Sequence, residues 1–524
     1  MQTQIQLILT PEQAEKTGLL YAEVSKSLNI TTDRISAIHT LKKSIDARSV
    51  SPKVNVLLDV YVDEPAPTNT YEPFVYQHVE HAEPVLIIGA GPAGLFAALK
   101  LIENGLKPIL VERGKKAEER KLDIAHLNRN KGLDVESNYC FGEGGAGTFS
   151  DGKLYTRSKK KGNSQRIFEI FHHNGASEEI LYEAHPHIGS DKLPKIVENM
   201  TNTIRAHGGE IHYQEKLTEI LIENNVVRGC KLASGKVLDA KAMILATGHS
   251  AHDIYEILYK QNVLLEPKGF AMGVRVEHPQ ALIDSAQYHC KVRDPYLPAA
   301  SYSLVEQVES RGVYSFCMCP GGRIVPAGTG IEEIVVNGMS ASKRNSPYAN
   351  SGIVVEIKPE DIPAEFQNYG AIAGLKFQQY LENLAFKNNG GLGQTAPAQR
   401  MLDFVRGRVS ADLPDSSYMP GLISSPLHFW LPENISSRLR EAFKLFDRKI
   451  HGYLTNDAVV VGVETRSSAA VRIPRDSETG QHPQLAGLFP AGEGSGYSGG
   501  ITSSAIDGEN AALSVKTWLA SMNL

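Results

Sequence analysis

The run Val85-Leu86-Ile87-Ile88, followed by Gly89-Ala90-Gly91-Pro92-Ala93-Gly94, constrains the fold more than any other stretch of the chain. Four apolar residues ahead of a glycine turn read as a strand buried on both faces, and Pro92 suits the first turn of a helix. Gly89 permits the tight turn, Gly91 lets the backbone approach a pyrophosphate, and Gly94 lets the helix lie close on the sheet. The helix N-terminus offers N–H groups and partial positive charge to a phosphate. A second strand, Pro108-Ile109-Leu110-Val111, ends on Glu112, eighteen positions past Gly94, near the offset of about 20 expected of a ribose-binding acid. Its carboxylate is expected to accept both ribose hydroxyls and to repel a 2′-phosphate. The pattern predicts an α/β, Rossmann-like βαβ unit for FAD or NAD.

Two distant segments select FAD. Residues 142–152 hold five glycines, and such a loop, including Gly145-Ala146-Gly147-Thr148, brings backbone amides against a flavin or pyrophosphate. Near the C-terminus a strand end runs into Ala491-Gly492-Glu493, then into a glycine turn at Gly499-Gly500 and a helix from Ile501. That helix N-terminus is placed to stabilise negative charge on a reduced flavin.

A chain of 524 residues exceeds the roughly 250–300 at which single cores stop growing. Residues 1–82 read as a small α+β module and linker, with strands at 4–9 and 54–62, another strand between them, and a helix at 11–28. Residues 83–265 form the first part of the FAD-binding domain, which includes short strands turning at Asn224-Asn225 and Ser234-Gly235. Residues 266–456 mix strands at 270–277 and 353–356 with helices at 374–387 and 434–448, and are expected to form a β-rich substrate or cap domain. Residues 457–524 complete the FAD domain.

Charge and cysteine usage narrow the partners. Lys plus Arg number 54 against 59 for Asp plus Glu, a formal charge of −5, so no basic field exists to hold nucleic acid. No run approaches the roughly 18 apolar residues of a membrane span, and the N-terminus lacks a secretory pattern, which places the chain in the cytoplasm with a small-molecule substrate. Cys140, Cys230, Cys290, Cys317 and Cys319 do not resemble a disulfide framework, and no metal site is expected.

Flavin supplies the redox chemistry, so the protein need only position a substrate and tune charge. Four side chains are candidates for direct participation. Cys317 and Cys319 share one face of a strand before a Pro-Gly-Gly turn, where thiols are able to exchange electrons with flavin; against this, a regular strand separates them by roughly 7 Å at Cα, strained for a disulfide. Arg275 shares a strand face with Glu277, and either binds an anionic substrate or pairs with it. His249 follows the apolar strand that ends in Ala246-Thr247-Gly248 and is a candidate proton donor. Arg344 is a further anion-binding candidate.

The segments GAGPAG, GEGGAGTFSDGKL, ATGHSAHD, GFAMGVRVEHPQ, FCMCPGGRIVPAG, VNGMSASKRNSPYANSGIVVE and AGEGSGYSGGITSSAIDG together resemble the uncharacterised FAD-dependent dehydrogenase family, often called NAD(FAD)-utilizing dehydrogenases, in the glutathione reductase-like two-dinucleotide-domain superfamily. KKSIDAR extends the resemblance into the N-terminal module. It implies that Gly89, Gly91 and Gly94, with Pro92 and Ala93 between them, hold the pyrophosphate. Glu112 and Arg113 would sit beside the ribose, Leu217 would touch adenine through its backbone, and Thr247 and Gly248 would mark the return to the FAD domain. Gly492 and Glu493 would contact the ribityl chain, ahead of Gly500 and Ile501. The implied activity is that of an FAD-dependent oxidoreductase. Outside the C-terminal glycine turn already read as part of the flavin site (Gly494–Gly499), residues 150–524 hold no GxGxxG, so NADH or NADPH is expected only as a transient donor. Alternatives are a flavin-dependent hydroxylase, a polyprenyl-type reductase, or a flavin-bound scaffold whose N-terminal module docks a partner.

Overall fold

The computed structural model describes residues 1–67, 71–156 and 162–522. At its centre is a five-stranded parallel sheet, ordered Leu488–Pro490, Met243–Leu245, Pro84–Ile88, Lys107–Val111, Glu210–His212. Its middle strand is buried from Val85 to Ile88, as the unbroken apolar run requires. Helix Pro92–Glu103 leaves the glycine turn and packs against the C-terminal helix Ile501–Met522. The two approach so closely that a Cβ at Gly508 would strike the Ala93 backbone. This sheet joins strands from both ends of the chain, which puts the two glycine turns side by side at the strands' carboxyl ends. Ligands of open α/β sheets bind at that edge.

The second sheet has seven strands in the order Val305–Val308, Arg311–Cys319, Tyr348–Ile357, Phe270–Pro279, Val459–Glu464, Ala396–Arg400, Leu422–Ser424. The expected strands at 270–277 and 353–356 lie within the pair Phe270–Pro279 and Tyr348–Ile357, antiparallel neighbours over ten residues. The expected helices are Ala373–Lys387 and Glu433–Lys449. Phe377 and Leu381 of one, and Leu439, Phe443 and Phe446 of the other, fill one core with Val274, Val276, Ile353 and Val355. Strand Val459–Glu464 sits inside this sheet, beyond the expected limit of 456, and the chain regains the parallel sheet only at Leu488. A strand of valines ending in one acid carries no mark of the sheet it will join.

The N-terminal residues form a three-stranded antiparallel sheet, Gln2–Leu9, Lys53–Val62, Ile35–Asp46, with Val24 packed on Val54, Val56 and Leu58. The single helix expected at 11–28 is two, Pro11–Glu15 and Thr17–Leu28. Lys16 divides them in an extended conformation, its N–H donating to the Glu12 carbonyl and its own carbonyl accepting from Leu19 and Leu20. Periodicity is blind to a residue that caps one helix and opens the next. Residues 68–70 of the expected linker lie outside the described residues. Beyond them the segment is docked: the Val79 N–H donates to His207 O at 2.8 Å, and the Arg166 guanidinium stacks 5.1 Å from the Phe74 ring centroid. No helix among the described residues is long and apolar enough to cross a membrane.

Candidate active site

A cleft of about 380 Å³ opens where the two glycine turns meet, within the size range of cofactor and ligand pockets. One wall is Gly89, Gly91, Gly145, Gly147, Gly248, Gly492 and Gly500; the other is Phe316 and Cys317 of the second sheet with Asn337 of a two-stranded sheet, Arg323–Pro326 and Val336–Met339. The glycine wall is backbone, and the space before several of its glycines is clear. A Cβ at Gly91 would come no nearer than 3.9 Å to another residue, and one at Gly248, Gly499 or Gly500 would meet nothing within 4 Å. Gly91 is the N-cap of its helix at φ −76°, and no side chain caps that end, so first-turn N–H groups are free to face an anion. This is the donor set and the emptiness that a dinucleotide pyrophosphate needs, and FAD fits it.

The glycine-rich loop is held from behind by Arg120. This guanidinium, fully buried, donates to the carbonyls of Glu143 at 2.6 Å, Asn138 at 2.8 Å and Gly145 at 3.1 Å. Burial pulls its pKa down to about 10 despite the nearby carboxylates.

Most residues expected to bind cofactor line the cleft: Gly89, Gly91, Pro92, Ala93, Glu112, Arg113, Gly145, Ala146, Gly147, Leu217, Thr247, Gly248, Gly492, Glu493, Gly500 and Ile501. Gly94 and Thr148 do not. A Cβ on Gly94 would fall on the Gly89 carbonyl oxygen, so it serves the helix–turn contact. Thr148 is buried and donates to Glu143 O at 2.6 Å. Glu112 is engaged differently from expectation. One carboxylate oxygen accepts the Ala90 N–H and the other those of Gly114 and Gly142, each at 2.9 Å. With about four lone-pair sites on a carboxylate, only one remains for a ribose hydroxyl, and Glu112 mainly ties the two glycine segments together. Arg113 is likewise committed, to Glu136 at 2.5 Å and Asp253 at 2.9 Å.

The catalytic candidates separate. His249 lines the cleft with Nδ1 3.5 Å from Glu493 Oε2. Arg275 is fully buried and does not line it. Its guanidinium donates to Asn350, Glu464 and the Cys317 carbonyl, each at 2.8 Å, so neither an anionic substrate nor Glu277 is its partner; Glu277 accepts from Ser417 instead. Burial pushes the Glu464 carboxyl up to about 7, although Arg275 opposes the rise. Arg344 is paired with Asp151 at 2.7 Å.

Cys317 lies on the cleft wall, and Cys319 is buried behind it. The strand does not run regularly through them. Phe316 pairs with Gly352 and Cys319 with Asn350, which leaves one extra residue, and Cys317 sits there at φ +47°. A non-glycine residue in that region costs about 1–3 kcal/mol and marks a site held by its surroundings. Those surroundings include Lys153, whose Nζ is 3.5 Å from Cys319 Sγ, 3.7 Å from Cys317 Sγ and 3.6 Å from Asp151. Burial disfavours that ammonium, but the two sulfurs and Asp151 outweigh burial and raise its pKa. Asp151 and Lys153 belong to the loop segment GEGGAGTFSDGKL, yet nothing in the sequence joins Lys153 to cysteines 164 and 166 positions away. Asn337, Tyr155 and Arg466 on the cleft wall carry no sequence signal either. His252, Glu333 and Glu382 come within 4.8 Å of one another, but Arg466 donates to Glu333 at 2.8 Å and Glu382 at 2.7 Å, so a guanidinium already supplies the positive charge there.

Comparison with known proteins agrees with this geometry. Residues 269–467 match the family of FAD-dependent proteins with a C-terminal domain of this type, residues 82–134 match an FAD binding domain, and residues 1–61 match a domain of unknown function. An uncharacterized protein of Clostridium beijerinckii is 39% identical over 510 residues, 94% of each chain. Similar solved structures include a geranylgeranyl bacteriochlorophyll reductase-like protein of Thermoplasma acidophilum (13% identity, 84% of this chain and 80% of that one, TM-score 0.36). A glycine oxidase of Bacillus cereus is another (14%, 84% and 95%, 0.31). The chain belongs to the family of FAD-dependent proteins that includes the C. beijerinckii relative, and is an FAD-dependent oxidoreductase.

Proposed function

We propose that FAD spans the cleft with its pyrophosphate at Gly89, Gly91 and the first turn after Pro92, its adenosine end toward Glu112, Arg113 and Leu217, and its flavin end toward Gly492, Glu493 and Ile501. When bound, FAD supplies two-electron transfer. The chain's own groups do the rest. The helix N-termini at Gly91 and Ile501 favour negative charge, His249 is held beside Glu493 where it can move a proton at Nδ1, and the second sheet closes the far wall and excludes water.

Among substrates, the reading favoured is a dehydrogenase of the NAD(FAD)-utilizing type, reduced by a nicotinamide that visits the cleft without a domain of its own. The observation that carries it is a cleft with walls from both sheets, while among the described residues the second sheet, antiparallel through most of its strands, offers no second glycine turn between strand and helix. The test is an anaerobic titration of the FAD-loaded protein with NADH and then NADPH, following the visible flavin band. Bleaching by one nucleotide is expected. A band that resists both nucleotides but bleaches with dithionite would overturn the nicotinamide reading and turn attention to substrate oxidation or hydroxylation.

A further inference from the structure

We infer that Cys317 and Cys319 are a redox-active dithiol whose substrates are disulfides and thiols, closing to an intramolecular disulfide on the wall of the cleft. The bulge is the first observation. A regular strand would hold alternate residues apart, but the extra residue between Phe316 and Cys319, with Cys317 in the left-handed region, takes the pair out of that geometry. Both sulfurs lie within 3.7 Å of one ammonium, Lys153 Nζ, and Cys319 Sγ lies 3.3 Å from the Cys317 carbonyl oxygen.

Charge balance is the second observation. Lys153, Arg275 and Arg344 supply three cations around the pair, against the carboxylates of Asp151 and Glu464. A thiolate at Cys317 completes the balance. The Cys319 thiol, donating to Cys317, holds it well below the ordinary thiol range, with Lys153 and Arg275 adding to the effect and burial and Asp151 opposing it. The same bond and burial push Cys319 up. The half-buried member facing the cleft is thus the anion and the buried member keeps its proton, the asymmetry of an attacking and a resolving thiol. A disulfide reaching the cleft meets Cys317 first.

The exchange balances without any other redox group. The Cys317 thiolate attacks one sulfur of the substrate disulfide, forming a mixed disulfide and expelling one thiolate. Cys319 gives its proton to that leaving thiolate and attacks Cys317 Sγ, which expels the second. Two electrons pass from the cysteine pair to the substrate, which departs as one thiol and one thiolate that takes its proton from water; excess thiol drives the reverse. Of the other three cysteines, Cys230 is buried, Cys290 packs against the core of the second sheet, and Cys140 lines the cleft with its Sγ 3.5 Å from the Ala327 carbonyl oxygen.

The test uses the full-length, FAD-loaded protein equilibrated with mixtures of reduced and oxidised dithiothreitol, quenched in acid, denatured, alkylated and weighed. The number of alkylated cysteines is expected to fall from five to three as the mixture becomes oxidising, with the lost pair in the peptide carrying Cys317 and Cys319, and to return to five on reduction. Native-state alkylation of Cys317 should persist into mildly acidic solution and slow severalfold in Lys153→Met. Five alkylated cysteines in every mixture, with the protein folded by circular dichroism, would overturn the inference, as would a disulfide that reduced dithiothreitol fails to open. Counting thiols does not depend on nicotinamide reducing the flavin, so this result and that of the nucleotide titration stand apart.

Discussion

Single residues set the cleft, and their substitutions give separable outcomes. Gly94→Ala would press a methyl group onto the Gly89 carbonyl, an overpacking of about 1–3 kcal/mol; a lower melting temperature and loss of bound FAD are expected together. Gly338→Ala would strike the Arg275 guanidinium and Asn350, disturbing a buried ion pair whose rupture costs about 3–5 kcal/mol, and a comparable fall in unfolding free energy in urea would confirm it. Asp151 carries a pH signature. Burial alone would raise its pKa, but Lys153 and Arg344 more than offset this and lower it below the ordinary 3.8. A carboxylate depressed in the folded state stabilises above its unfolded pKa and loses that contribution as pH falls through the folded value. Asp151→Asn should therefore lower the melting temperature near neutrality and narrow its gap from the parent in strong acid. The tight turn at Gly89 and the close helix contact at Gly94 were legible because each is a local backbone demand. The engagements of Glu112, Arg275 and Arg344 were not, since their partners come from strands and loops that only the finished fold brings near.

At the scale of elements, the strand Phe270–Pro279 is the instructive case. It is buried from Phe270 to His278, and it carries Arg275, Glu277 and His278 through the interior. His278 Nε2 bonds the Tyr453 carbonyl at 2.8 Å while Nδ1 has no partner, the pattern of a neutral ring donating once. Burial lowers its pKa from 6.5 to about 4. The unfolded chain takes up the proton first, so stability drops as pH falls from 6.5 toward 4, by at most about 3 kcal/mol. In His278→Gln the difference between melting temperatures at neutral and mildly acidic pH should shrink; an unchanged difference would contradict the assignment. Alternation showed this segment to be a strand, but not that both faces are covered. The same limit hid the bulge at Cys317, because an extra residue leaves no mark in a short strand's composition.

For the whole molecule, the sequence conveyed the α/β class and the identity of the cofactor, because a βαβ turn and two further glycine segments each announce backbone built for a dinucleotide. It did not convey how residues 266–456 are wound, since their connections span many residues and one strand, Val459–Glu464, falls past the expected limit. The central claim is that FAD lies against the Gly91 turn, and Gly91 allows it to be tested without breaking the fold. Its φ of −76° suits any L-residue, and a Cβ there has no neighbour closer than 3.9 Å, so a valine side chain would stand in the cleft itself. The decisive measurement is bound FAD per chain, by absorbance, in the parent and in Gly91→Val, with the melting temperatures of both FAD-free proteins as the control for folding. The account predicts one FAD per parent chain, almost none in the variant, and equal melting temperatures without cofactor; a variant that keeps its full complement of FAD would contradict it.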